Sequence, residues 1–142
     1  MSTRNIIQAL QGAAGAAAGG GVLDVDDVFS IDLIFGNGST QQITNGLDLS
    51  SEKGLVWSKE RSTSIYNHAL VDNVSNKFVM SDNTSAAADA STEISSFNTD
   101  GFTLHGTGDY NNVNNRTYVS FSFRQAPRFF QCLTYSGTGS AQ

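Results

Sequence analysis

Few residues of this 142-residue chain have side chains suited to covalent or acid–base chemistry. His68 and His105 are the only histidines, and Cys132 is the only cysteine. The many serines include candidate nucleophiles, but no local motif singles one out beside a histidine and a carboxylate. The acidic run Asp24-Val25-Asp26-Asp27 lacks the oxygen-rich loop and bidentate glutamate of a calcium site, which favours a solvated linker. The sequence therefore predicts neither an enzyme nor a bound cofactor or metal ion.

Two aromatic residues, Trp57 and Tyr66, are the candidates for contact with a sugar. A tryptophan ring can stack on the apolar face of a sugar ring. Leu55 and Val56 precede Trp57 in an apolar run, which favours burial of the indole in the core instead. Glycan contact through Trp57 and Tyr66 is thus the alternative to a purely structural role.

Composition limits the classes of partner. Charged residues make up 15% of the chain and the net charge is −5, with only 8 Lys plus Arg. No basic run interleaves with aromatic residues, so nucleic-acid binding is not expected. No stretch approaches the roughly 18 consecutive apolar residues that a membrane span needs. The N-terminus also lacks the Leu-rich core of a signal peptide. Ser, Thr, Asn, Gln and Gly form most of the polar surface, as in extracellular β-proteins and viral appendages.

Residues 1–21 form a distinct beginning. Ile6, Ile7 and Leu10 fall on one apolar stripe of a short helix, and a Gly/Ala-rich run follows from Gly12 to Gly21. A helix this short is not stable alone. We therefore expect a short N-terminal helix or extended anchor that docks on another protein or on the same segment of sister subunits. The Gly/Ala run would act as its spacer.

Residues 22–127 have the pattern of one antiparallel β-sandwich. Short apolar runs recur at intervals of roughly 8–12 residues, separated by polar turns and without amphipathic helices between them. Residues 118–124 alternate large apolar and polar side chains, as expected of a strand with one buried face. Residues 84–92 read as a loop or weak helix. The predicted strands are residues 28–35, 42–44, 54–60, 67–72, 77–81, 94–97, 102–105 and 118–124.

The end of the chain echoes its first strand. Residues 32–41 are repeated, with one extra residue, in residues 132–142, so that Leu33 and Leu133 lie 100 residues apart. Residues 128–142 are therefore expected to begin a second, similar domain or to form a C-terminal connector, with Cys132 buried in a strand. Pairing of this segment with another subunit is the alternative.

Several segments together resemble a domain found in structural proteins of marine and cyanobacterial tailed bacteriophages. The similarity covers about residues 28–139 and is specific because separate motifs agree. One departure is Thr99, where the pattern has Ser. The matching segments are residues 35–41, 54–57 with Lys59 and Arg61, 67–68 with Asp72, 95–102, and 118–130.

This resemblance implies a fold and a function. The fold is an all-β, antiparallel sandwich of the jelly-roll or concanavalin-like type. Similar proteins begin with Ser-Thr-Arg-Asn-Ile-Ile-Gln-Ala, which implies a tail fibre whose N-terminal end, through Ile6, Ile7 and Leu10, is anchored on a tail adaptor, nozzle or baseplate protein. A homotrimer located in the virion, assembled in the host cytoplasm and carrying host-recognition domains, is the expected form. The alternatives are a carbohydrate-binding module facing a host surface glycan and a capsid decoration protein.

Overall fold

The computed structural model describes residues 23–63, 66–106 and 108–139. These residues form short strands joined by turns, with two 3-10 turns at Val25–Asp27 and Ala90–Thr92. The strands are β1 (Phe29–Phe35), β2 (Gln41–Thr44), β3 (Gly54–Glu60), β4 (Ala69–Asp72), β5 (Lys77–Met80), β6 (Ala88–Asp89), β7 (Ile94–Asn98), β8 (Gly101–Leu104) and β9 (Thr117–Arg124).

The strands assemble into two antiparallel sheets. One has six strands in the order β1-β9-β3-β4-β5-β6, and the other has three in the order β2-β8-β7. The prediction of an all-β antiparallel sandwich is confirmed. The helix or anchor expected before it lies outside the described residues.

A compact set of apolar side chains fills the space between the two sheets. Val56 on β3 and Val71 on β4 come from the large sheet, and Phe102 and Leu104 on β8 come from the small one; all four are fully buried. Tyr118 is also fully buried, and its hydroxyl oxygen accepts a hydrogen bond of 3.0 Å from the Val113 amide. The polar end of this core tyrosine is therefore satisfied inside the fold.

Strand β9 turns its serines toward the core and its phenylalanines away from it. Its core-facing residues after Tyr118 are Ser120 and Ser122, both fully buried, whereas Phe121 and Phe123 lie on the far side of the sheet. The small serines leave room for the segment after β2. The Asn45 side chain of that segment donates to the Ser122 hydroxyl oxygen at 3.2 Å, and Leu47 and Leu49 beyond it are fully buried. The alternation predicted for this strand is present.

Two further sequence predictions need correction. Residues 84–92 contain the short strand β6 and a 3-10 turn rather than only a loop or helix. Residues 131–139 form no strand, and the chain just before them makes only an isolated bridge between Ala126 and Phe130. The physical reason is that a strand needs a neighbour, and none adjoins this segment within the described residues. Cys132 is consequently only partly buried. Whether this segment begins a second domain stays a prediction.

Candidate functional site

The side of the six-stranded sheet that faces away from the core is apolar across five strands. Directly paired residues of neighbouring strands share a face. The pairs Ile31–Phe121, Phe121–Trp57, Trp57–Leu70 and Leu70–Val79 therefore form one continuous row, called here the central row. Ile31 is 55% exposed and Val79 45% exposed at its two ends. This row crosses the sheet without a polar side chain.

Apolar residues also flank the central row on both sides. On one side, Phe29, Phe123 and Leu55 are paired across β1, β9 and β3; on the other side, Leu33 pairs with Val119. Leu33 is 72% exposed. The outer face, as the term is used below, consists of Phe29, Ile31, Leu33, Phe35, Leu55, Trp57, Leu70, Val79, Val119, Phe121 and Phe123.

Aromatic contacts extend the outer face towards the C-terminal segment. The ring centroids of Phe29 and Phe123 are 5.1 Å apart, and those of Phe123 and Phe130 are 5.4 Å apart. Trp57 and Phe121 form a third pair at 5.7 Å. These tilted rings hold one another in place, so the outer face is a preformed surface rather than a set of independent side chains.

The opposite surface of the sandwich has a different character. The three-stranded sheet turns Gln42, Thr44, Ser96 and Thr103 away from the core. Its exterior is therefore polar, as is normal for a sheet that faces water. The outer face fits within a rectangle of about 400 Å², four strand spacings of ~4.8 Å wide and six residue steps of ~3.3 Å long, in which β4 and β5 contribute one residue each. An apolar patch of that size on one side only is a candidate interaction surface.

Trp57 lies on the outer face, so the expectation that it belongs to the core is wrong. It alternates with the buried residues Val56 and Ser58 along β3, and it is half-buried by Phe121 and by His68, whose ring centroid is 6.2 Å away. Its surroundings are mostly apolar. Its indole ring is accordingly placed for contact with another apolar surface.

Tyr66 lies in a different environment. The guanidinium carbon of Arg116 sits 4.9 Å from the centre of the Tyr66 ring, and Tyr110 meets that ring at right angles with 5.9 Å between centroids. No ring contact joins Tyr66 to Trp57 among the described residues. The structure thus does not bring the two candidate sugar-contacting residues together as a pair.

Sequence reasoning missed a buried ion pair beside Tyr66. Glu60 is the last core-facing residue of β3 and is buried, and one of its carboxylate oxygens is 3.0 Å from a guanidinium nitrogen of Arg116. Burial raises the pKa of Glu60, but hydrogen bonds from Thr63, Ser62 and Arg116 outweigh it and leave that pKa below its usual value. The signal in the sequence was a charged residue at a core-facing position of an alternating strand. The pair ties β3 to the chain just before β9.

A second buried carboxylate, Glu93, has no cationic partner in the described part of the chain. It accepts a 3.2 Å hydrogen bond from the Tyr110 amide, and the Asn111 side chain donates to its backbone oxygen at 3.1 Å. Burial, reinforced by the negative charge of Asp109, raises the pKa of Glu93 from 4.5 to about 7, although hydrogen bonds from the Tyr110 and Asp109 amides act in the other direction. Glu93 holds the loop before β9 against the start of β7.

The remaining predicted site residues are placed as follows. Ile6, Ile7 and Leu10 lie outside the described residues. Asp24 and Asp27 are exposed and bracket the first 3-10 turn, in which the Asp24 amide donates to the Asp27 carboxylate at 3.2 Å. Across residues 23–63, 66–106 and 108–139, no group of three or more His, Cys, Asp or Glu side chains is arranged to hold a metal ion. No helix in this part of the chain is long and apolar enough to cross a membrane.

Comparison with known proteins places the chain in a family. The model of the family described as "Domain of unknown function (DUF7483)" matches residues 24–129, which is the whole two-sheet region and most of the chain. No curated protein and no solved structure matches the chain. The family description carries no activity, so function has to be argued from the residues themselves.

Proposed function

The chain belongs to the DUF7483 family, and we propose that it is a structural protein of a tailed-bacteriophage particle, the particle-proximal part of a tail fibre. The observation that supports this most is the outer face. It is apolar across five strands, exposed at Ile31, Leu33 and Val79 and half-buried at its centre. Such a surface is suited to an assembly in which another protein surface covers it.

The resemblance to phage structural proteins supplies the setting for this surface. In this proposal residues 1–21 attach the protein to a tail adaptor, nozzle or baseplate protein, with Ile6, Ile7 and Leu10 as the contact residues. The same stripe brings three copies together as a homotrimer. Burial of three such side chains contributes roughly 5–8 kcal/mol per copy before ordering costs, and repetition around a symmetric tail multiplies it. The sandwich then links the attachment point to host-recognition domains, and the protein resides in the virion after assembly in the host cytoplasm.

Deletion of residues 2–12 tests this proposal. Particles assembled with the shortened chain should lack it, because the contact residues are gone, while the complete chain is detected in purified particles by mass spectrometry. A matched variant in which Ala13, Ala14, Ala16 and Ala17 are replaced by serine keeps the apolar stripe and should still be incorporated. Particles that carry the shortened chain at normal level would refute attachment through this segment.

A carbohydrate-binding module is the second candidate, and the surface position of Trp57 is the observation in its favour. Sugar sites combine a stacking ring with polar groups that bind hydroxyls. Around Trp57 the outer face instead supplies Phe121, Leu70 and Leu55, which suits a protein surface better. Saturable binding to a glycan array that is lost in Trp57→Ala would favour the module. A capsid decoration protein would differ by its copy number, which would follow the number of shell subunits.

A further inference from the structure

We infer that the chain binds a calcium ion between the start of β7 and the loop that joins β8 to β9, through oxygen atoms of Thr92, Glu93 and Asn111. None of these residues belongs to the outer face, and calcium binding here does not depend on the proposed function. Three features lead to this calcium site: oxygen atoms that converge, a buried oxygen without a partner, and a buried charge without a cation.

Three oxygen atoms from two separate segments converge beside Gly108. A methyl group added to this glycine would lie 2.4 Å from Asn111 Oδ1, 3.1 Å from Glu93 Oε2 and 3.3 Å from the Thr92 backbone oxygen. Apart from Gly108 and its two chain neighbours, these oxygens are the three nearest atoms to that position. Oxygen atoms gathered around one point repel one another, and a cation among them turns that repulsion into attraction.

The Asn111 oxygen is the clearest sign of a ligand. The Asn111 side chain is fully buried, and within the described residues its Oδ1 has no hydrogen-bond partner. Its Nδ2 donates to the Glu93 backbone oxygen at 3.1 Å, and this bond determines which end of the amide is the oxygen. Buried polar atoms nearly always have a partner, so one that finds none in the protein points to a bound ion or water molecule.

Glu93 supplies the negative charge of the calcium site. Its side chain is buried, and its carboxylate accepts hydrogen bonds from the Tyr110 and Asp109 amides, which leaves lone pairs for a cation. Burial and the negative charge of Asp109 raise the pKa of Glu93 to about 7, as expected of a carboxylate whose charge is not neutralised. A cation beside Glu93 would provide the countercharge that no side chain provides in the described part of the chain.

The types of ligand select calcium. One carboxylate, one side-chain amide and one backbone carbonyl are hard oxygen ligands, and calcium accepts such mixed sets in irregular geometry, with water completing its coordination. Magnesium requires near-octahedral geometry, and zinc prefers nitrogen and sulfur ligands. Thr92 and Asp109 are exposed, so water can reach the site. With one carboxylate in direct contact, we expect a dissociation constant on the order of 10⁻⁴–10⁻³ M.

Thermal unfolding of the full chain tests the calcium site. At pH 8, calcium chloride at about 10 mM should raise the unfolding temperature by about 5 °C relative to EDTA at the same ionic strength, because calcium would bind only the folded chain. The same concentration of magnesium chloride should give a clearly smaller shift. Isothermal titration with calcium chloride should give the dissociation constant directly.

Two variants remove the calcium site in different ways. Glu93→Gln removes the charge but keeps an oxygen for the Tyr110 amide, and it should lose most of the calcium-dependent shift. Gly108→Ala places a methyl group where the three oxygens converge, and it should lose the shift as well. Glu52→Gln removes the same charge at an exposed position and should keep the shift. Circular dichroism checks that each variant is folded.

Several results would overturn the calcium site. They are an unfolding temperature of the parent chain that calcium leaves unchanged, an equal shift with magnesium, and a shift that a folded Glu93→Gln or Gly108→Ala variant retains in full. The first result is the one expected if a proton on Glu93, donated to Asn111 Oδ1, takes the place of the cation. None of these results bears on whether the protein is present in particles, which mass spectrometry of purified particles decides.

Discussion

At the scale of single residues, the serines of β9 differ in a way that can be measured. Ser120 and Ser122 are both fully buried. The Ser122 hydroxyl oxygen accepts a hydrogen bond from Asn45, whereas within the described residues the hydroxyls of Ser120 and of Ser58, its partner across the pair, have none. A buried hydroxyl without a hydrogen-bond partner destabilises the folded state, whereas a hydrogen-bonded one stabilises it.

We therefore expect opposite effects from two alanine substitutions on one strand. Ser120→Ala should raise the free energy of unfolding by up to about 1 kcal/mol, and Ser122→Ala should lower it by about 1 kcal/mol. Urea unfolding at a single protein concentration measures both. Equal destabilisation by the two substitutions would contradict the difference in hydrogen bonding.

Glu93 makes stability depend on pH near neutrality. Its pKa is about 7 in the folded chain against 4.5 for an ordinary glutamate. Because the folded value is raised, the contribution of Glu93 to stability is fully present below about pH 4.5 and is lost as pH rises through 7. The difference amounts to about 3 kcal/mol.

The substitution Glu93→Gln tests this dependence. The amide keeps an oxygen for the Tyr110 hydrogen bond and has no charge to desolvate, so the variant should be more stable than the parent at pH 8 and should lose the decline between pH 5 and 8 in urea unfolding. Glu52→Gln, at an exposed position, is the control and should keep the decline. An unchanged decline in Glu93→Gln would show that another group is responsible.

At the scale of elements, the strands were predictable because their turns are marked. Asn45-Gly46 follows β2, and Asp100-Gly101 marks the turn from β7 into β8, which begins at Gly101. The direction in which β9 faces was not predictable, since Tyr118 points inward while Phe121 points outward and both are aromatic. Packing against the loop that carries Asn45 and Leu47 selects which face of β9 points inward, and the position of that loop depends on the tertiary structure. Trp57 was assigned to the core because Leu55 and Val56 precede it, although Leu55 and Trp57 share the outer side of β3.

The turn between β7 and β8 depends on one glycine. Gly101 has φ +143°, and a Cβ at this position would lie 2.1 Å from the Ile43 backbone oxygen of β2. Gly101→Ala should therefore separate β2 from β8 and lower the free energy of unfolding by more than about 2 kcal/mol.

A second glycine provides the comparison for that substitution. Gly137 has nothing within 4 Å of the same position, and Gly137→Ala should change stability by less than about 0.5 kcal/mol. Urea unfolding of both variants gives the two values. A mild effect of Gly101→Ala would mean that β2 and β8 are not held as closely as described.

At the scale of the whole molecule, the two exteriors of the sandwich differ in polarity. The three-stranded sheet is polar outside, whereas the six-stranded sheet carries the outer face. The sequence alone predicted a β-sandwich with a structural role but located the assembly contacts at Ile6, Ile7 and Leu10. The outer face escaped notice because its residues come from five strands, β1, β3, β4, β5 and β9, and become neighbours only through the register of the sheet.

The position of the chain in an intact particle tests the central claim most directly. Electron cryomicroscopy of purified particles should show the sandwich at the tail, with Leu33, Trp57 and Phe121 covered by another protein surface. A particle without the chain, or one in which this side of the six-stranded sheet faces solvent, would contradict the account.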